Sequence, residues 1–296
     1  MQIVIAGGSG FLGRALSASL LRAGHDVLVL TRTPRGTHDV IWTPDDTPAA
    51  WMDAVDGTDV VVNLAGESLD RRWTPDRKRA MRATRLNATR ALVAAIRRVA
   101  RRPPVFLSAS AIGVYGVRGS EPLTERASVG SDFLAQLCRA WEDAALEAAA
   151  LTRVVQLRTG LVLGRDGGAL PRMARPFQFM AGGRLGSGRQ FYSWIHLEDW
   201  VRLVEWAMAR SEIRGPLNAT APAPVTNAEF ARALGRALHR PAWVPAPAFA
   251  LRAILGEMAD AMVLGGQRVI PERALEAGFS FVHPTIDEAL AALYLA

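Results

Sequence analysis

Two kinds of hydrophobic pattern alternate along the first half of the chain. Gln2 to Ala6, Asp26 to Leu30, Val60 to Leu64, Val105 to Ser108 and Val154 to Leu157 are short β-branched or aliphatic runs that read as strands. Between them, Phe11 to Ala23, Pro75 to Arg101 and Phe133 to Ala150 are longer amphipathic segments that read as helices. Thr74-Pro75 opens the middle helix, with threonine as N-cap and proline in the first turn. Such alternation predicts an α/β fold: a Rossmann-type, doubly wound parallel sheet with right-handed crossovers and helices on both faces.

The pattern changes after Gly164. DGGALPRMARPFQFMAGGRLGSGRQ is glycine-rich, and QFYSWIH then reads as one strand. Val201 to Arg210 and Thr226 to Leu238 read as helices, the second capped by Thr226. Prolines break the chain from Pro241 to Pro247. The tail from Ala248 mixes helical segments with GFSFVHPT, a short strand and turn. The expected division is a dinucleotide-binding domain over 1–164, to which 190–222 return, and a smaller C-terminal substrate lobe over 165–296. That lobe belongs over the carboxyl ends of the sheet, where open α/β sheets bind ligands.

Composition narrows the choices. Half of the residues are hydrophobic, enough for a large core. No apolar run reaches the ~18 residues of a membrane span, and MQIVIAGG reads directly as a strand rather than a signal peptide. The single cysteine, Cys138, excludes an intramolecular disulfide and points to a reducing, cytoplasmic setting. The net charge of +7 raises nucleic acid as a partner. The basic residues, however, are arginines spread along the chain, with Lys78 the one lysine. The densest cluster, IRRVARR, ends a helical pattern, where cations complement exposed carbonyls. A small-molecule partner is expected, with no nucleic acid and no membrane. The five histidines lack ligand-like spacing, so no metal site is expected.

The candidate chemistry starts at the first turn. Gly7, Gly10 and Gly13 follow a strand and open a helix, within GGSGFLG (Gly7, Gly8, Ser9, Gly10, Phe11, Leu12, Gly13). The first glycine permits a sharp turn, the second close approach to a pyrophosphate, and the third tight helix packing. The amides of the helix start then face the phosphates. A dinucleotide fold normally ends its second strand with a carboxylate for the ribose 2′-hydroxyl. Thr31 and Arg32 stand there instead, with Arg35 nearby. Guanidinium groups suit a 2′-phosphate, so the expected cofactor is NADP(H) rather than NAD(H).

GGSGFLG, NLAGE (Asn63 to Glu67) and LSASAIGVYG (Leu107 to Gly116) together resemble the extended short-chain dehydrogenase/reductase superfamily. RTGLVLG, GSGRQFYSWIHLED and LGEMADAMVLGGQRVIPERALEAGF are similar to its atypical epimerase-family subgroup, with a short C-terminal domain of its own at about 241–293. The resemblance spans essentially the whole chain. It implies that Asn63, Leu64, Ala65 and Gly66 line the cofactor cleft, with Ser108 near it. It also implies that the segment from Leu157 to Gly164, including Gly160, runs beside the nicotinamide.

The superfamily's usual engine is a serine followed by Tyr-x-x-x-Lys, in which the lysine lowers the tyrosine pKa and holds the ribose. The sequence departs from that pattern. Four residues before Lys78 stands Thr74, and the helix SDFLAQLCRAWEDAA offers Leu137 or Cys138 in the lysine's place. Other groups must then carry any chemistry. Ser110 is near the serine position, though a count back from Tyr115 reaches Ala111. Tyr115 either donates to a substrate oxygen or packs. Glu67 is either a general base or the partner of Arg71 or Arg72. Arg72 and Trp73 are candidate substrate contacts. His196 is either a proton carrier or a structural histidine bonded to Asp199. GGRLGSGRQ, with Arg189, reads as a candidate lid. The leading expectation is an NADP(H)-dependent oxidoreductase or epimerase acting on a polar, sugar- or nucleotide-like substrate. The alternative is an NADP(H)-binding sensor without turnover.

Overall fold

Residues 1–44 and 49–295 are described by the computed structural model. The first half consists of β1 (Gln2–Ala6), α1 (Phe11–Arg22), β2 (Asp26–Thr31), β3 (Asp39–Ile41), β4 (Val60–Asn63), α2 (Pro75–Arg98), β5 (Val105–Ala111), β6 (Pro122–Leu123), α3 (Phe133–Leu146) and β7 (Arg153–Thr159). There follow β8 (Leu161–Gly164), β9 (Gly167–Gly168), α4 (Leu170–Gln178), β10 (Phe191–Tyr192), β11 (Trp194–His196), α5 (Leu197–Ala209) and β12 (Gly215–Ala219). The remainder is β13 (Val225–Thr226), α6 (Asn227–Ala237), α7 (Ala248–Leu255), β14 (Arg268–Val269), α8 (Glu272–Glu276) and α9 (Ile286–Tyr294).

Seven parallel strands form the main sheet, in the order β12-β7-β5-β4-β1-β2-β3. Successive side chains of a strand point to opposite faces, and β1 shows the result. Ile3 and Ile5 pack with Leu16 and Leu20 of α1 and with Trp200 and Val204 of α5. Val4 and Ala6 pack on the other side with Leu92 and Ile96 of α2 and with Ala145 of α3. Burial on both faces explains the unbroken apolar runs of these strands. The strand order reverses beside β1, so the crevice at its carboxyl end is where a doubly wound sheet takes its ligand. A second core gathers Leu163, Leu170, Phe177, Trp194, Phe230, Leu234, Ile286 and Leu290 from β8, α4, β11, α6 and α9.

Several boundaries differ from the expectation, each for a visible reason. α2 stops at Arg98 because Val99 turns extended, and two arginines of the cluster at its end are paired: Arg97 with Glu147, Arg101 with Asp56. QFYSWIH is two strands, not one. Ser193 divides them, its hydroxyl donating to the Gln267 carbonyl (2.7 Å) and accepting from the Val269 amide (2.8 Å). β10 then pairs with β13 while β11 pairs with β8. α5 starts at Leu197, earlier than the hydrophobic pattern suggested, because His196 caps it. GFSFVHPT forms no strand. Phe279 packs edge-on against Phe281 and Trp206, and the Val282 and His283 amides both donate to Asp199 (2.8 Å each).

Asp199 is fully buried, so it holds the C-terminal turn with a charge that water cannot replace. Asp199→Ala leaves two backbone amides without acceptors. It is expected to lower stability by about 2–4 kcal/mol, read from urea denaturation midpoints.

Candidate functional site

The first turn has the geometry of a phosphate cradle. Gly7 has φ +82°, and a Cβ there would lie 2.7 Å from the Leu64 carbonyl carbon. A Cβ on Gly13 would lie 2.3 Å from the Gly7 oxygen, so only glycine lets α1 lie this close to the turn. Gly10 stands at the N-cap without a side-chain cap, and no acidic residue occupies the first turn of α1. The amides of Phe11, Leu12 and Gly13 therefore keep the dipole's positive end available to an anion. Arg14 fastens the outer edge by donating to the Ser9 carbonyl (2.8 Å). Phe11 packs its ring against Gly164, Gly167 and Gly168, where a Cβ would come within 2.4–3.0 Å of it.

At the end of β2 the backbone is organised and the cations are exposed. Thr31 Oγ1 accepts from the Thr33 amide (3.3 Å), and Asp39 accepts from the amides of Arg35 (2.6 Å) and Gly36 (3.0 Å). Arg32 and Arg35 are exposed, and no carboxylate among the described residues pairs with either.

The turn after β4 is held from beneath. Asn63 is fully buried; it donates to Thr89 Oγ1 (2.9 Å) and accepts from the Ala65 amide (3.2 Å). This fixes Leu64, Ala65 and Gly66 against the Gly7 turn. Ser108 lies beside Asn63 in register, buried, with its hydroxyl lacking a hydrogen-bond partner. Gly160 backs onto the Ser193 carbonyl, 2.5 Å from where a Cβ would be. Leu157 opens the segment expected beside the nicotinamide. Its side chain is fully buried and packs in the core cluster that includes Trp200 and Val204 of α5.

Ser110 and Tyr115 enter a buried polar network. Arg158 donates to both carboxylate oxygens of Glu142 (2.9 and 2.8 Å), and Ser110 donates to the same carboxylate (2.6 Å). The Tyr115 hydroxyl accepts from Arg158 (3.0 Å) and donates to Asn218 Oδ1 (2.7 Å). The Asn218 amide donates to Glu125, and its side chain donates to the Ile270 carbonyl. Burial raises the Tyr115 phenol above its ordinary pKa, against the pull of Arg158. Tyr115 is fully buried with its proton and a lone pair both committed, so the expected donation to a substrate oxygen is not its geometry. Glu142 and Arg158 were missed in the sequence reading. Their signal was a charged residue inside an otherwise apolar helix face and one inside an apolar strand.

The remaining candidates separate. Glu67 pairs with Arg77 (3.2 Å), not with Arg71 or Arg72, and remains partly exposed at the lip of the turn. Trp73 is buried, donates to the Leu69 carbonyl and packs edge-on against Phe133; it is a packing residue. Arg72 is exposed beside Gly256. The glycine-rich segment before Arg189 is pinned rather than free. Gly186 bonds Ala246, Ala228 bonds Gly188, and Gly183 backs onto Val244. Arg189 itself is exposed.

His196 accepts from the Glu198 amide (3.2 Å) as the N-cap of α5, and the Asp199 carboxylate expected as its partner accepts from the Val282 and His283 amides instead. Burial, with His283 alongside, pushes its pKa down to about 4, so it is neutral near pH 7 and unsuited to the expected proton shuttle. His196, Glu198 and His283 place three donor atoms within 4.8 Å of one another, a cluster that sequence spacing had not suggested. The cap works against a cation there. With Nδ1 accepting, the His196 proton sits on Nε2, where a metal would need a lone pair.

A doubly wound sheet with a glycine cradle at its switch point defines a dinucleotide-fold α/β protein. Residues 3–218 match the NAD dependent epimerase/dehydratase family, and the chain belongs to that family. Residues 246–293 match a domain of unknown function (DUF1731). The epimerase family protein ML0860 of Mycobacterium leprae is 46% identical over 291 residues, 97% of this chain and 94% of the relative. The crystal structure of human epimerase family protein SDR39U1 (isoform 2) with NADPH superposes with a TM-score of 0.91 at 35% identity, over 100% of this chain and 99% of that one. A nucleoside-diphosphate sugar epimerase from Corynebacterium glutamicum gives a TM-score of 0.83 at 33% identity, over 99% of this chain and 58% of that one.

Two predictions test the site's framework. Glu142→Ala strands Arg158 in the interior and is expected to cost about 3–5 kcal/mol by denaturant unfolding. For His196, the folded pKa lies below the unfolded value of 6.5, so its contribution is present above pH 6.5 and fades as pH falls toward 4. Up to about 3 kcal/mol should be lost over that window. His196→Asn, which keeps a cap acceptor, should flatten the fall in unfolding free energy.

Proposed function

We propose that the chain binds NADP(H) and uses it as an oxidoreductase or epimerase on a polar, sugar- or nucleotide-like small molecule. The observation that carries this reading is the end of β2: two exposed arginines without carboxylate partners among the described residues, one strand away from a glycine cradle with open amides. Arg32 would hold the 2′-phosphate with Arg35 beside it, and the Phe11 to Gly13 amides would hold the diphosphate. The turn Asn63 to Gly66 would lie along the dinucleotide. The solved relative with NADPH supports the same choice of cofactor.

The bound dinucleotide supplies hydride chemistry. Among the residues expected to move the accompanying proton, Glu67 is the one whose group reaches solvent at the cleft lip, with Arg77 as its partner. Ser110 and Tyr115 instead set the floor, their hydroxyls tied to Glu142 and Asn218. Arg72 and Arg189 are exposed cations available to an anionic substrate. The single buried cysteine suits a reducing compartment such as the cytoplasm. Among the described residues, no helix is long and apolar enough to cross a membrane.

Calorimetry checks the cofactor assignment. Arg32→Ala is expected to weaken NADPH binding by about 1.5–3 kcal/mol while leaving NADH unchanged, as loss of charge-assisted bonds to one phosphate requires. An unaltered NADPH/NADH preference rejects the role of Arg32. Turnover is followed for net reduction at the reduced nicotinamide's absorbance across aldehydes, ketones and sugar nucleotides, and for epimerisation, which returns the cofactor to its starting state, by chromatography of the sugar products. Glu67→Gln should abolish it with NADPH affinity retained. Tight binding of NADPH by the unaltered chain with no turnover on any of these would instead favour the sensor.

A further inference from the structure

Arg85 is a buried cation with no salt-bridge partner among the described residues, although Glu67 lies near enough to favour its charge. It lies on α2 and is nine-tenths buried. One guanidinium nitrogen donates to the Met81 carbonyl (3.2 Å), and the group lies 5.1 Å from the Trp141 ring. Neither its Nε nor its second terminal nitrogen has a hydrogen-bond partner among the described residues. The guanidinium presses against Gly66, whose Cβ, were there one, would be 3.1 Å from the Arg85 Cζ. Gly66 belongs to the turn assigned to the dinucleotide. The Cys138 thiol lies nearby on α3, un-ionised because burial pushes its pKa up to about 12.

The surroundings make the charge matter. Glu67 pairs with Arg77, Glu142 pairs with Arg158, and Lys78 pairs with Glu257. Arg85 is left under the turn without an ion-pair partner of its own among the described residues, its charge favoured from a distance by Glu67. Burial is the leading influence on its acidity and makes the cation less favourable there, so something must offset that cost. Trp141 does so in part. The position has a further meaning. Cys138 is one of the two residues standing where a catalytic lysine was expected on α3, and the Arg85 cation reaches that vicinity from the neighbouring helix.

We propose that Arg85 is a cofactor-positioning residue whose fixed charge makes this cleft select the reduced dinucleotide over the oxidised one. The inference rests on the NADP(H) reading above. Its free N–H groups would donate to hydroxyls of the nicotinamide ribose. An oxidised nicotinamide ring carries a positive charge and is repelled; a reduced ring is neutral and is not. At the separations of a single site, in a medium of intermediate dielectric, one such repulsion is worth on the order of tenfold or more in affinity.

The test compares dissociation constants for NADPH and NADP⁺, by calorimetry, on the whole chain and on Arg85→Lys and Arg85→Met. The unaltered chain should favour NADPH by roughly tenfold or more. Arg85→Lys should keep that ratio, and Arg85→Met should bring it close to one. A merely structural arginine would weaken both forms equally, and that result overturns the proposal. The ratio in the unaltered chain requires no variant, so a folding defect in Arg85→Met does not protect the idea: equal affinity for both forms rejects it while leaving NADP(H) binding intact. Binding of neither form rejects the cofactor reading and this one together.

Discussion

The ion pair between Arg158 and Glu142 is the constraint on which the ligand side of the molecule depends. Both groups are buried, so each costs several kcal/mol to desolvate and is tolerable only because the other is there. The bidentate geometry fixes α3 against β7, and the bonds to Ser110 and Tyr115 extend the lock to β5 and the turn beyond it. Asn218 and Glu125 carry it on to β12, to the Ile270 carbonyl and to the start of α8. A chain of charge-assisted bonds thus ties the smaller C-terminal segments to the sheet. The floor of the cleft is correspondingly stiff, and its hydroxyls serve architecture before they serve any reactant.

The two ends of the cleft are built on different principles. At the phosphate end, absence of side chains does the work: glycines at 7 and 13 allow backbone to meet backbone, and the open amides of α1 do the rest. At the reactive end, charged side chains are crowded and mostly neutralised in pairs. Arg85 differs from them in being buried without a salt-bridge partner among the described residues.

The sheet and the cradle were legible in the sequence because they rest on local signals: apolar runs of strand length, a threonine-proline helix start, glycines at fixed offsets. The cations after β2 were legible too, since their identity contradicts the usual carboxylate. The buried network was not. Glu142 and Arg158 lie 16 positions apart in sequence and become partners only when α3 docks on β7. The arginine-rich composition also hid Arg85, because nothing local separates it from its many solvated neighbours. His196 shows a third kind of failure. Its sequence context reads as a proton carrier or as a structural histidine bonded to Asp199, and the role it has, capping α5 through the Glu198 amide, depends on a backbone contact that residue identity does not signal.

Phe11 has a wider consequence. Its ring fills a socket made by Gly164, Gly167 and Gly168, so the opening residue of α1 is seated in a hairpin more than 150 positions downstream. Any side chain on those glycines displaces the ring and, with it, the first amide of the cradle. The two segments can therefore drift only as a matched pair during divergence: a smaller residue at 11 must come before bulk at 164, 167 or 168, and never the other way round.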